Sequence, residues 1–131
     1  MTEKAKTVVA VVVTSGQAVV VAKRVDQTPP WTFPSGELAD GEPYGAAARR
    51  IVMREAGIPI VVADEVQIGR RVHPATQRDI VYVAATAEPL HSIKNGDPAN
   101  LLGVKWATFA QARDLMPDMF DEVSAYLDGL E

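Results

Sequence analysis

The stretch WTFPSGELADGEPYGAAARRIVMREAGI, from Trp31 to Ile58, decides the fold, and the other segments are arranged around it. Alternation of Trp31 and Phe33 predicts a short strand with one buried face. A glycine-containing loop from Ser35 to Pro43 follows the strand. The alanine-rich segment from Tyr44 to Ala56 then predicts an amphipathic helix. The stretch therefore predicts a strand, a loop and a helix in succession.

The ends of this helix are marked by residues with special backbone preferences. Proline is favoured at a helix start, as at Pro43, and glycine is favoured just after the end, as at Gly57. Pro59 then prevents the helix from continuing. In the preceding loop, Gly36 and Gly41 can each adopt a positive φ and bring backbone amides close to a ligand. The helix should therefore end at Gly57, and the loop before the helix is suited to ligand binding.

The loop and the helix also carry residues at fixed spacing, Gly36, Glu42, Arg50, Val52, Glu55, Gly57 and Ile58. This pattern resembles the signature of the Nudix hydrolases, G-x5-E-x7-R-E-U-x-E-E-x-G-U, in which U is a bulky aliphatic residue. The resemblance fails at Ile51 and Arg54, where the family has glutamates. The family cleaves diphosphate linkages in nucleotide derivatives, and the resemblance extends to VVAVVVTSGQAVVVAKR and LLGVKWATFAQARDLM at either side.

The flanking segments predict a mixture of strands and helices. Strands are expected at Val8–Val13 and Ala18–Ala22 as a hairpin, and then at Pro59–Val72, Asp79–Ala87 and Leu101–Ala107. Thr108 followed by Gln111 predicts a capped helix to about Met116, and a last helix is expected over Asp118–Leu127. This order predicts an α+β or α/β sandwich. The resemblance implies the Nudix fold, an α/β/α sandwich with a mixed sheet packed between helices, in one domain over residues 1–131.

Composition limits the classes of protein that the chain can belong to. Its 131 residues suffice for one domain, and its apolar content of 47% is that of a globular protein. The absence of cysteine excludes disulfides and thiolate catalysis. The net charge of −4 argues against a nucleic-acid polymer as partner. No apolar run is long enough for a membrane span, and the polar start MTEKAKT predicts a cytoplasmic location.

The resemblance implies a metal-dependent reaction. Residues 51, 54 and 55 share one helix face, because at about 100° per residue they span roughly 100°. In the family these positions carry glutamates that bind Mg²⁺ or Mn²⁺ and activate water. Glu55 is then the expected catalytic residue and metal ligand. Glu42 and Arg50 are the expected supporting residues, as an ion pair that fixes the loop to the helix.

The two substitutions predict that this chemistry is weakened. Ile51 has no ligand oxygen and is expected to pack in the core or to form an apolar wall, and Arg54 repels a divalent cation. Gly103 stands where many family members have a further glutamate. Carboxylates that could compensate are Glu37, Asp40, Glu88 and Asp97. Alternatively, Arg54 together with Arg50 could hold a phosphate directly, since guanidinium suits bidentate phosphate contacts; an ordinary exposed helix arginine is the other interpretation.

The predicted substrate-binding residues are Arg24, Arg54, Gly36 and Glu37. Arg24 is preferred among the basic residues because it ends a strand that leads to the loop. Lys23, Arg70, Arg71 and Arg78 could also border a phosphate pocket, or could be solvated strand ends. His73 and His91 are too isolated for a metal site and are expected in loops.

Two hypotheses on function remain at this point. In the first, the chain is a Nudix-type hydrolase with weakened catalysis that acts on a nucleoside diphosphate derivative, with Mg²⁺ or Mn²⁺ as cofactor. In the second, it is a catalytically inactive nucleotide-binding or regulatory module. Both predict a diphosphate-containing small molecule as partner, and the resemblance also implies a homodimer.

Overall fold

The computed structural model describes residues 6–62, 67–73, 77–88 and 92–130. Its strands are β1 (Val8–Ser15), β2 (Ala18–Arg24), β3 (Trp31–Thr32), β4 (Ser35–Glu37), β5 (Gln67–Val72), β6 (Asp79–Thr86) and β7 (Leu101–Thr108). Its helices are α1 (Tyr44–Ala56), α2 (Phe109–Leu115) and α3 (Asp121–Leu130).

The strands form one mixed sheet. Its main path runs in the order β3-β2-β1-β6-β5, while β4 also pairs with β1 and β7 with β2. The pairing of β1 with β6 is parallel, and β1 with β2 forms the predicted antiparallel hairpin. The first six residues of β1, Val8–Val13, are all apolar, as suits a strand with both faces covered.

Helices cover the two faces separately. On one face, Val9 and Val11 pack in a core with Ile51 and Val52 of α1. On the other face, residues such as Val12 of β1 pack in a second core with α2 and α3. The predicted α/β/α sandwich with a mixed sheet is therefore confirmed. None of the helices in the described ranges is long and apolar enough to cross a membrane.

Helix α1 has the predicted bounds and the predicted end. Gly57 adopts a φ of 69°, and its N–H donates to the carbonyls of Val52 and Met53. This is the left-handed conformation that glycine adopts readily at a helix end. The predicted capping box of α2 is also present, because Thr108 and Gln111 bond each other's backbone N–H.

Three segments differ from the sequence-based predictions. The predicted loop begins as strand β4, because backbone pairing with β1 orders residues whose strand propensity is low. The final helix spans Asp121–Leu130, with Asp121 in its first turn where negative charge is favoured. Of the predicted strand Pro59–Val72, Val61 forms an isolated bridge and β5 forms the end.

Some predictions fall on segments outside the described residues. These are the start of the chain (residues 1–5), residues 63–66 of the predicted strand, and His91, which was expected in a loop.

Candidate functional site

A pocket of about 370 Å³ lies beside α1, between β4 and the end of β2. Four arginines and three carboxylates line it, namely Arg24, Arg50, Arg54, Arg78, Glu37, Glu55 and Asp97, together with the backbone of Gly36. Every predicted site residue contributes to this lining except Glu42, which forms an ion pair with the lining residue Arg50. The structure thus brings the predicted residues together in one place.

Glu55 is a buried carboxylate with its hydrogen bonds already satisfied. Its side chain is 1% exposed. Both carboxylate oxygens accept from Nη2 of Arg24, at 3.2 and 3.1 Å, and Oε1 also accepts from the backbone N–H of Ser35 at 3.1 Å. Burial of a charged group is tolerated only with such partners. Glu55 therefore joins α1 to β2 and β4 inside the protein.

Arg24 ends β2 at an irregularity in the pairing of β2 with β7. Lys23 pairs with Gly103 and Arg24 with Leu101, so β7 has one extra residue, Leu102, at this point. Nη2 of Arg24 also donates to the carbonyl and the hydroxyl of Ser35. The Arg24 side chain is 16% exposed and lines the pocket. Arg24 is thus held by contacts on both β4 and α1.

The predicted ion pair between Glu42 and Arg50 is present. Nε and Nη2 of Arg50 donate to the two carboxylate oxygens of Glu42 at 3.1 and 3.0 Å. Nη2 of Arg50 also donates to the carbonyl of Glu37, so the loop and β4 are both tied to α1. The hydrogen bond from Arg50, then that from the Ala39 N–H, holds the pKa of Glu42 below its ordinary value.

Gly36 serves close packing. It is in β4 and does not adopt a positive φ, whereas Gly41 does, with a φ of 73°. A Cβ at Gly36 would lie 2.9 Å from Nη2 of Arg54 and 3.1 Å from Cγ1 of Ile51. Glycine here lets β4 approach the helix closely.

The two substituted box positions have different environments. Ile51 is fully buried in the core below Gly36, as expected of a packing residue. Arg54 is 47% exposed, and its Nη2 lies 3.7 Å from Oε2 of Glu55. That distance is too long for a hydrogen bond. Arg54 is therefore the least constrained partner in the Glu55 network.

Asp97 and Asn100 were not among the predicted site residues, although Asp97 was considered as a compensating carboxylate. They reach the pocket because the loop before β7 docks on the end of α1. There the N–H groups of Lys94 and Gly96 donate to the last helix carbonyls. A Cβ at Gly96 would lie 2.1 Å from the carbonyl oxygen of Arg54. The sequence shows only turn signals in this segment, at Asn95-Gly96 and Asp97-Pro98, and these do not specify the contact with α1.

The pocket residues do not fit the divalent metal that the sequence resemblance implies. Oxygen ligands from several groups are needed for Mg²⁺ or Mn²⁺. Glu55 instead faces Arg24 and the Ser35 amide, and Ile51 and Arg54 supply no oxygen. Within the described ranges, no three His, Cys, Asp or Glu side chains are grouped so as to hold a metal.

Comparison with solved structures confirms the fold. An Ap4A hydrolase of C. elegans in a binary complex has 18% identity and a TM-score of 0.72, with 93% of each chain covered. A NUDIX-family hydrolase from Clostridium perfringens has 13% identity and a TM-score of 0.77, covering 98% of this chain and 100% of that one. A NUDIX hydrolase from Nitrosomonas europaea has 17% identity and a TM-score of 0.75, with 98% and 73% covered.

Comparison at the level of sequence gives a family but no individual relative. No curated protein matches this chain significantly. The family model described as the NUDIX domain matches residues 4–127, nearly the whole chain. The chain therefore belongs to the NUDIX family.

Proposed function

We propose that this NUDIX domain binds a nucleotide or another diphosphate-containing small molecule in the arginine-lined pocket, and that hydrolysis is lost or strongly weakened. The observation that carries the proposal is that the Glu55 carboxylate is buried and already hydrogen-bonded within the protein. Its carboxylate already accepts hydrogen bonds from Arg24 and Ser35. A metal ion bound to Glu55 would have to displace the Arg24 guanidinium, which Ser35 of β4 holds in place.

Arg54 supports the binding of an anion. Its guanidinium lines the pocket, is about half exposed, and makes only a long contact with Glu55. Arginine binds phosphate through paired, charge-assisted hydrogen bonds. The pocket volume of about 370 Å³ is also within the range of small-molecule sites. A phosphate group can therefore meet Arg54 without disturbing the buried pair.

The experiment is calorimetric titration with inorganic pyrophosphate and with ADP, in buffer containing EDTA. We expect saturable binding, which Arg54→Gln weakens about tenfold or more, because charge-assisted hydrogen bonds contribute about 1.5–3 kcal/mol. Arg49→Gln is the matched control, since it removes the same charge from an exposed position of α1 outside the pocket. Equal effects of both changes, or no binding at all, would overturn the proposal.

A residual hydrolase is the second candidate, and the intact pair between Glu42 and Arg50 favours it. This pair keeps the loop against α1 as the family signature implies. Release of phosphate from nucleoside triphosphates, ADP-ribose and nucleotide sugars with Mg²⁺ or Mn²⁺ is the assay. The double change Ile51→Glu with Arg54→Glu should raise the rate, provided that thermal melting shows a folded protein. Turnover by the wild-type chain would favour this second candidate.

A homodimer is also proposed, on the family resemblance alone. Light scattering at several protein concentrations tests it, and a constant monomer mass would refute it.

A further inference from the structure

Glu37 and Arg78 form an ion pair at the pocket, outside the family signature's set of charged residues. Nη2 of Arg78 lies 3.2 Å from Oε2 of Glu37, and both residues line the pocket. Strand β1 lies between them, because Val8 pairs with Glu37 on one side and with Ile80 on the other. The sheet therefore sets the two side chains opposite each other across β1.

The two partners are held differently. Nε and Nη2 of Arg78 donate to the carbonyl of Lys6 at 3.2 and 2.8 Å, and its side chain is 28% exposed. Glu37 ends the three-residue strand β4, and its side chain is 59% exposed. Arg78 is thus anchored by the backbone, whereas the carboxylate of Glu37 faces solvent. If the pair opens, Glu37 is the partner that leaves.

The ion pair between Glu37 and Arg78 affects the balance of positive and negative charge that a ligand meets in the pocket. Four arginines face three carboxylates in the lining, and Arg24 and Arg50 are bonded to Glu55 and Glu42. An exposed ion pair contributes little free energy, so a ligand anion can compete with a carboxylate for its arginine. Arg78 lines the pocket as Arg54 does, so a ligand anion that displaces Glu37 would meet the guanidinium of Arg78.

We propose that Arg78 is an anion-binding residue of this pocket and that Glu37 covers it until a ligand phosphate takes the place of the carboxylate. The inference rests on the proposed function, because it assumes an anionic ligand. It assigns the ligand two anionic groups, one for Arg54 and one for Arg78. Glu37 then acts as an internal competitor that only a ligand reaching Arg78 as well as Arg54 has to displace.

The experiment titrates inorganic pyrophosphate and inorganic phosphate into the wild-type chain and its variants in EDTA. Glu37→Gln should tighten pyrophosphate binding about threefold to tenfold, since only a weak competitor is removed. Arg78→Gln should weaken it about tenfold, and Arg78→Lys should restore part of the loss. In the Arg78→Gln background, Glu37→Gln should bring no gain.

Asp128→Asn is the matched control for Glu37→Gln. It removes one negative charge from another exposed ion pair, that with Arg113, which is outside the pocket lining. A gain equal to that of Glu37→Gln would mean a general charge effect and would overturn the inference.

The remaining outcomes separate the inference from the proposed function. If the wild-type chain binds pyrophosphate but Glu37→Gln binds it no better, or gains equally in both backgrounds, the inference alone fails. If neither the wild-type chain nor Glu37→Gln binds pyrophosphate, the proposed function fails and the inference fails with it. A larger gain for pyrophosphate than for phosphate is the result that supports the assignment of two anionic groups.

Discussion

Glu42 and Glu55 both belong to the family signature and both pair with an arginine, but their surroundings differ. Glu42 is 17% exposed and pairs with Arg50 at the junction of loop and helix. Glu55 is 1% exposed and is enclosed by Arg24 and the Ser35 amide. Glu42 connects the loop to α1 near the surface. Glu55 connects α1 to β2 and β4 inside the protein. Glu55 therefore has structural contacts inside the fold, although positions 51 and 54 of the signature carry no carboxylate.

The energetic consequence is that the two pairs should respond differently to mutation. Removing one partner of a buried ion pair costs about 3–5 kcal/mol, because a charge is left buried alone. An exposed pair contributes much less, because solvent screens the two charges. The predictions below test this contrast from the largest expected effect to the smallest.

Glu55→Ala should lower the free energy of unfolding by about 3 kcal/mol, because the Ser35 N–H loses its acceptor and the Arg24 charge loses its carboxylate partner. Urea unfolding of the purified protein measures this loss. Replacing both charges, as Arg24→Met with Glu55→Leu, should cost less than the sum of the two single changes, since neither charge is left unpaired.

Arg54→Ala is the control for this prediction, because its contact with Glu55 is long and exposed. It should change stability by less than about 0.5 kcal/mol. If Glu55→Ala were as mild as Arg54→Ala, the carboxylate would be a functional group with no structural role.

Gly36→Ala should cost about 1 kcal/mol and should also weaken pyrophosphate binding. The added methyl would press on the tip of Arg54, which can move, and on Ile51, which is fully buried and cannot move freely. Thermal unfolding and titration measure the two effects.

Gly103→Ala is the matched strand control, since a Cβ there meets nothing within 4 Å. It should be neutral or slightly stabilising, because alanine restricts the unfolded chain more than glycine does. A loss equal to that of Gly36→Ala would indicate a general intolerance of strand substitutions.

Glu42 should give a small dependence of stability on pH. Its folded pKa is lowered by the hydrogen bonds from Arg50 and Ala39. The stabilisation is therefore present above the ordinary carboxyl pKa of 4.5 and is lost as pH falls below it, through the folded pKa. In Glu42→Gln this part of the acid-induced loss should disappear, as measured by urea unfolding between pH 6 and pH 3.

Asp114→Asn is a useful reference for that measurement, because this carboxylate belongs to α2 and is outside the pocket lining. If both variants had the same pH profile, the pair between Glu42 and Arg50 would not contribute to the dependence.

Features with local causes were predicted well from the sequence. The helix Tyr44–Ala56 and its end at Gly57 were predicted correctly, because proline, alanine and glycine act on their own backbone. The last helix was misplaced by three residues at each end, since Met119 and Phe120 have a helical apolar spacing but precede it. Strand β4 was missed because its order comes from pairing with β1, a contact that no local pattern specifies.

The sequence by itself determined the family, the sandwich of helices and sheet, and the two positions at which the signature lacks carboxylates. Only the tertiary structure decided which cation faces Glu55 and where Arg78 lies. Arg24 and Glu55 are 31 positions apart, and Ser35 of β4, which pairs with β1, is hydrogen-bonded to both of them. Spacing along one helix places side chains on a face, whereas contacts across the fold decide whether that face binds a metal, an anion or its own arginine.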